Sequence, residues 1–223
     1  MVNASQISGQ ITTAKSGATQ HGHGRAEKYS TAPPSYKYDY HLDTELGFPH
    51  EYRDLTNILA NATENDEVHL YINGPGGYVT TCLQIVNLIQ NCRATVVGHL
   101  LGFCRSAHSF IFLACHEFVV YHNSEIMAHC YSGGSWGKGQ EIVQHATATR
   151  EIFERLVTDV YYPFYTEEEV AQIMDNRDIY INGSENLMPR INRLVDYRVK
   201  LLEQREAMAI KEARRELDEA AGE

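Results

Sequence analysis

Between Tyr36 and Ile181 the chain alternates between short β-type runs and segments of helical period, and this alternation restricts its fold more than any other feature. Parallel strands need a long crossover, normally a helix, so repeated strand–helix units predict an α/β fold with a largely parallel sheet. Tyr36 to Leu42 alternates apolar and polar residues as a half-buried strand does. Glu51 to Ala62 places Leu55, Ile58 and Leu59 at helical spacing, and Glu67 to Ile72 is again a strand. Tyr78 to Gln90 gathers Val79, Leu83, Val86 and Ile89 on one helical face. A strand over Ala94 to Leu100, ended by Gly102, and a buried helix over Arg105 to Cys115 follow. Two short strands (Phe118 to Tyr121, Ile126 to His129), a glycine-rich connection and a long helix over Gln140 to Val160 come next. Thr166 then caps a helix over Glu167 to Met174, and Asp178 to Ile181 reads as a strand. No internal repeat is visible.

Three units are expected. Residues 1–35 are rich in Ser, Thr, Gly, Ala and Gln, have no apolar period and end at Pro33-Pro34, which predicts a flexible tail. His21 and His23 lie there without further ligand-type neighbours and read as solvated tail. Residues 36–197 form the folded domain. Residues 198–223 are a charged, Ala- and Glu-rich extension that reads as a solvated helix with i, i+4 charge pairs.

Composition narrows the partners. Nineteen basic against 29 acidic side chains give a net charge of −10, which disfavours nucleic acid and anionic lipid, since both demand a basic surface. No run reaches the roughly 18 apolar residues of a membrane span. The N-terminus lacks the basic start and apolar run of a secretory signal, so the sequons at Asn3, Asn61 and Asn182 carry little weight. Cys82, Cys92, Cys104, Cys115 and Cys130 are scattered, mostly in apolar runs, as expected of reduced core thiols in a cytoplasmic protein.

Two turns after strands are candidate sites, because α/β sheets bind ligands at strand ends. Asn73-Gly74-Pro75-Gly76-Gly77 reads either as a tight turn or as a place where backbone N–H groups face a ligand; it lacks the Gly-Lys-Ser/Thr of a phosphate loop. In the second, from Gly102 to Ser109, Ser106 opens a helix, where it is either a cap or a nucleophile beside the positive helix end. A nucleophilic serine needs a base and an acidic group that orients the base. His129, ending the run Ile-Met-Ala-His, reads as a core histidine or as that base. Asp178, beside Arg177, reads as a surface ion-pair partner or as the orienting acid.

The runs YINGPGG, GFCRSAHSFIFLA, EIMAHCYSGGSWG and NRDIYING, in that order, resemble the ClpP family of self-compartmentalising serine peptidases over about Glu51 to Asp196. The resemblance implies a ClpP/crotonase-like fold of repeated β-β-α units in a spiral, with a protruding handle helix after Gly133-Gly134. It implies a catalytic triad of Ser106, His129 and Asp178, with the backbone N–H groups of Gly77 and Ala107 as the oxyanion hole. Extended substrate would lie beside Gly77 and after His129, with Gly76, Tyr78, Cys130, Tyr131 and Gly133 as substrate-binding residues. The implied partners are further copies of the chain in two stacked heptameric rings, an AAA+ unfoldase, and protein or peptide substrates. No metal or organic cofactor is implied, and neither nucleic acid nor membrane. Arg105, Ala107 and His108 depart from the family pattern around the serine, where small residues precede and Met-Gly follows. Three rivals share the superfold: a catalytically silent ring-building homologue, a crotonase-type acyl-CoA hydratase and a viral head-maturation protease. The complete Ser–His–Asp set favours the active peptidase over the first two.

Overall fold

The computed structural model describes residues 35–221. The tail expected over residues 1–35, with His21 and His23, lies outside them but for its last residue. The strands are β1 (Lys37–Leu42), β2 (Glu67–Gly74), β3 (Thr95–Arg105), β4 (Glu117–Val120), β5 (Glu125–Ala128) and β6 (Ile179–Asn182). The helices are α1 (Arg53–Asn61), α2 (Val79–Asn91), α3 (Ala107–Ala114), α4 (Gly139–Leu156), α5 (Glu167–Met174) and α6 (Ser184–Ala221). The strands form one mixed sheet in the order β1-β2-β3-β5-β6, with β4 also paired to β3. All pairings are parallel except β5 with β6. The expected α/β class with a mainly parallel sheet is therefore what forms. Among the described residues no helix is long and apolar enough to cross a membrane.

One face of the sheet makes the core. Val68, Leu70 and Ile72 of β2 are fully buried while the residues between them are half-buried or exposed, the period-two burial of a strand covered on one side. Helices α1, α2 and α3 pack together over that face. Every residue of α3 is buried, the apolar Ala107, Phe110, Ile111, Phe112, Leu113 and Ala114 together with the polar His108 and Ser109. At its C-terminal end Arg198 of α6 donates to the carbonyls of Leu113 and Cys115, giving acceptors that have no helical donor a cationic partner.

The longest strand positions the chemistry. β3 divides one edge between two neighbours: Val97 to Leu100 pair with β4, and Phe103 to Arg105 pair with β5. On its other edge a bulge intervenes, with Ile72 opposite Leu100 but Gly74 opposite Cys104. The Asn73 side chain pins the bulge by accepting the Phe103 N–H at 2.9 Å. A Cβ on Gly102 would come within 2.6 Å of the same Asn73 oxygen, so glycine is what lets the two strands close here. Bulges re-aim the strand beyond them. Gly102 thus bends β3 without ending it, contrary to the strand end expected there, and the strand runs on to the residue before Ser106.

Two further boundaries differ from expectation. The long helix gives way after Leu156 to a π-helical turn, Val157–Tyr161, which turns Val157, Val160 and Tyr161 into the core. The last helix begins at Ser184 and absorbs Pro189 in its second turn, so the charged extension continues a helix that starts inside the folded domain.

The N-terminus of α5 shows how the lower half is held. Thr166 and Glu169 form a reciprocal capping box, and the Glu169 carboxylate also takes a two-pronged hydrogen bond from Arg190 at 2.7 and 2.8 Å. These bonds, that from Arg190 first, hold the Glu169 pKa below its usual value. A depressed carboxyl pKa adds stability above the unfolded-state pKa, and this is lost as pH falls through the folded value. Glu169→Ala is expected to lower the melting temperature at pH 7 by about 4–8 °C, following about 2 kcal/mol of lost capping and pairing. The difference between mutant and wild type should shrink as pH falls through and below the ordinary carboxylate range, which melting curves across pH would test.

Candidate active site

Ser106 sits at the joint between β3 and α3. Its N–H donates to the Met127 carbonyl of β5 at 2.9 Å. Its backbone has φ 53° and ψ −124°, a conformation L-residues avoid; among the described residues only Asn176 and Ser106 combine a side chain with positive φ. Such strain costs about 1–3 kcal/mol and persists only where the surroundings over-determine it. They do so here from both sides. The Ser106 carbonyl accepts from Ser109 N–H at 2.9 Å and from Ser109 Oγ at 2.6 Å. The buried Tyr161 hydroxyl lies 2.7 Å from the same Oγ, and since Ser109 spends its proton on Ser106, Tyr161 is the donor. Burial raises the Tyr161 pKa far above its usual value, which keeps that proton in place. The result is a strand-to-helix elbow that presents the Ser106 side chain rather than using it to cap α3.

His129 follows β5 directly and is half-buried. Its Nε2 stands 2.7 Å from Ser106 Oγ, the distance of a strong hydrogen bond and of a base poised to accept the hydroxyl proton. Because β3 and β5 are paired up to Arg105 and Met127, the two ends are fixed relative to each other by the sheet.

Asp178 is not brought in to the same degree. The antiparallel ladder of β5 and β6 ends at Ala128 opposite Ile179, so one further pair in the same register would set His129 against Asp178. Asp178 is exposed, and it makes no hydrogen bond or ion pair with His129.

The glycine turn packs directly on the serine. Gly76 (φ 113°) and Gly77 (φ 140°) both occupy backbone space that disfavours side chains, and a Cβ on Gly76 would come within 2.6 Å of Ser106 Cβ. Leu46 fastens the turn by donating to the Gly76 carbonyl at 2.7 Å and accepting from Tyr78 at 2.9 Å. That ladder leaves the Gly77 N–H out. Ala107 is the first residue of α3, where an N–H has no intrahelical acceptor. Two backbone donors therefore flank Ser106, at the residue after it and on the turn packed against it.

A small pocket opens beside the serine, lined by Val79, Cys82, Ala107, Phe110, Tyr131, Phe153 and Leu156 together with Ser106 and His129. It is apolar, and Phe110 stacks face to face on Tyr161 at 3.9 Å behind it. Of the other residues expected to meet substrate, Tyr78 is exposed and stacks on Phe48 at 4.9 Å. Cys130 and Tyr131 are half-buried, and Gly133 is exposed with open space where its Cβ would be. Burial pushes the Cys130 thiol pKa up, so Cys130 is not a thiolate competing with Ser106.

The charge beside the nucleophile is spent locally. Arg105 donates to Glu125 at 2.6 Å and lies over the Phe103 ring at 4.2 Å, so it braces β3 against β5. Ser109, Tyr161 and Asn73 are the supporting residues that sequence reading does not single out. Ser109 stands three residues into the turn after Ser106, a spacing that could have been noticed; nothing local marks Tyr161, 52 residues on.

A family model described as Clp protease matches residues 53–188 of this chain, well over half of its 223 residues.

Proposed function

Because this chain belongs to the Clp protease family, we propose that it is a serine endopeptidase subunit that hydrolyses peptide bonds in peptides and unfolded proteins within a ring-shaped oligomer. The observation that carries the reading is the 2.7 Å contact between His129 Nε2 and the hydroxyl of a serine held at positive φ. Ser106 Oγ attacks the scissile carbonyl as His129 takes its proton, and His129 then gives that proton to the leaving amine. The N–H groups of Gly77 and Ala107 receive the developing oxyanion. Asp178 orients the imidazole and balances its charge once the β5–β6 ladder extends by one pair. The apolar pocket takes the side chain preceding the cleaved bond, and extended substrate runs beside the turn and along Cys130 and Tyr131.

Assembly is supported by the surface. Trp136 is 97% exposed, and Ile142, Val143 and Ile152 on the solvent-facing α4 are exposed as well, an apolar set that favours association with further copies. Purified protein is expected to sediment as a ring-sized oligomer and to cleave a fluorogenic peptide, while Ser106→Ala assembles equally and cleaves nothing. A protein that stays monomeric would defeat the ring; an active Ser106→Ala would defeat the nucleophile.

The separation of Asp178 from His129 favours a second reading, a ring-building member of the family that does not cut. An assembled wild type that cleaves no peptide, like Ser106→Ala, would establish it.

A further inference from the structure

Beneath the turn that carries Gly76 and Gly77 lies the imidazole of His108, the second residue of α3, with no exposed surface. The Gly76 N–H donates to its Nδ1 at 2.8 Å. That bond settles the tautomer: Nδ1 is the acceptor, so the ring proton sits on Nε2. Nε2 is buried and meets no acceptor among the described residues. The ring also fills the space under the preceding glycine, where a Cβ on Gly74 would come within 2.5 Å of Cε1 and 2.7 Å of Nε2.

A residue chosen only to fill this volume would be aliphatic, because burying an N–H without a partner opposes folding. What an aliphatic side chain cannot supply is an acceptor for the Gly76 N–H. Gly76 is held at its carbonyl by Leu46 and at its N–H by His108, and it lies against Ser106. Its neighbour Gly77 carries the N–H that the Leu46 ladder leaves out. Glycines at φ 113° and 140° have no intrinsic preference that would fix such a turn, so its aim depends on these tethers.

We propose that His108 is a positioning residue for the oxyanion-binding turn: by accepting the Gly76 N–H it holds the turn on Ser106 and aims the Gly77 N–H at the substrate carbonyl. This rests on the serine-peptidase reading. A single short helix, α3, then supplies one donor through Ala107 and positions the other through His108. Burial lowers the His108 pKa to about 4, so the acceptor is present at neutral pH. Preorganised donors act mainly on the transition state, so their misplacement lowers kcat more than it raises KM.

The test compares His108→Leu and His108→Met, which remove the acceptor, with His108→Gln, whose side-chain carbonyl replaces it. Kinetics on one fluorogenic peptide are normalised to active sites titrated with a fluorophosphonate, so that unfolded or unassembled protein does not count. Leu and Met are expected to lower kcat per site by about 10- to 100-fold with KM within about two-fold, and Gln to stay within about five-fold of wild type. If Leu and Met keep kcat per site within two-fold, or if Gln falls as far as they do, the assignment is overturned while the peptidase reading stands. A wild type that neither labels nor cleaves overturns both.

Discussion

Replacing His129 by alanine is expected to lower kcat for a short fluorogenic peptide by about 10⁴- to 10⁶-fold, with the assembled protein melting close to wild type. The effect is large because an alcohol at neutral pH is a poor nucleophile, and the imidazole 2.7 Å away is the group placed to remove its proton. The effect on stability is small because Ser106 Oγ is the hydrogen-bond partner of the half-buried ring. Since serine and base act as one unit, the double mutant Ser106→Ala/His129→Ala should be scarcely slower than either single mutant. Steady-state and single-turnover rates would check this. A His129→Ala enzyme within tenfold of wild type would mean that the contact serves structure and that proton transfer takes place elsewhere.

Asp178→Ala is expected to cost about 10³- to 10⁴-fold in kcat with little change in KM, the penalty of leaving an imidazole unoriented and its positive charge unbalanced. Asp178 is exposed and stands one pair past the end of the β5–β6 ladder. Its role follows from register. Met127 opposite Tyr180 and Ala128 opposite Ile179 leave Asp178 as the residue that meets His129 when the ladder extends. Because Asp178 is exposed and bonded to nothing in the core, the mutant should fold and assemble normally. A loss of threefold or less would show that Ser106 and His129 work as a dyad.

Most of the fold is legible in the sequence because burial writes a period into it. The alternation in β2 and the apolar run Phe110 to Ala114 of α3 mark one strand with a single covered face and one helix with none exposed. Where expectation and structure part, a long-range contact decides the matter. Gly102 reads as a strand end by local rules, and the side chain of Asn73 from the neighbouring strand makes it a bulge. Leu156 reads as mid-helix, and the core beneath draws the next turn into a wider winding so that Tyr161 reaches Ser109.

The site is legible in kind more than in detail. A serine opening a buried helix, a histidine ending a strand and a glycine-dense turn can be picked out one at a time, and the sheet brings those three together. Their supports cannot be read so easily. The hydrogen bond from Gly76 to His108 spans 32 residues and that from Tyr161 to Ser109 spans 52. His108 stands out locally only as a polar residue beside the serine, and Tyr161 not at all, so neither shows which distant group it bonds.

The central claim is that Ser106 is an activated nucleophile, and the most direct measurement is labelling by a fluorophosphonate probe, which reacts with such serines without needing the right peptide. Wild-type protein is expected to be labelled at one site per chain, with mass spectrometry placing the adduct on Ser106 and Ser106→Ala left unlabelled. An assembled wild type that stays unlabelled, or a Ser106→Ala protein labelled to the same extent, would contradict the account.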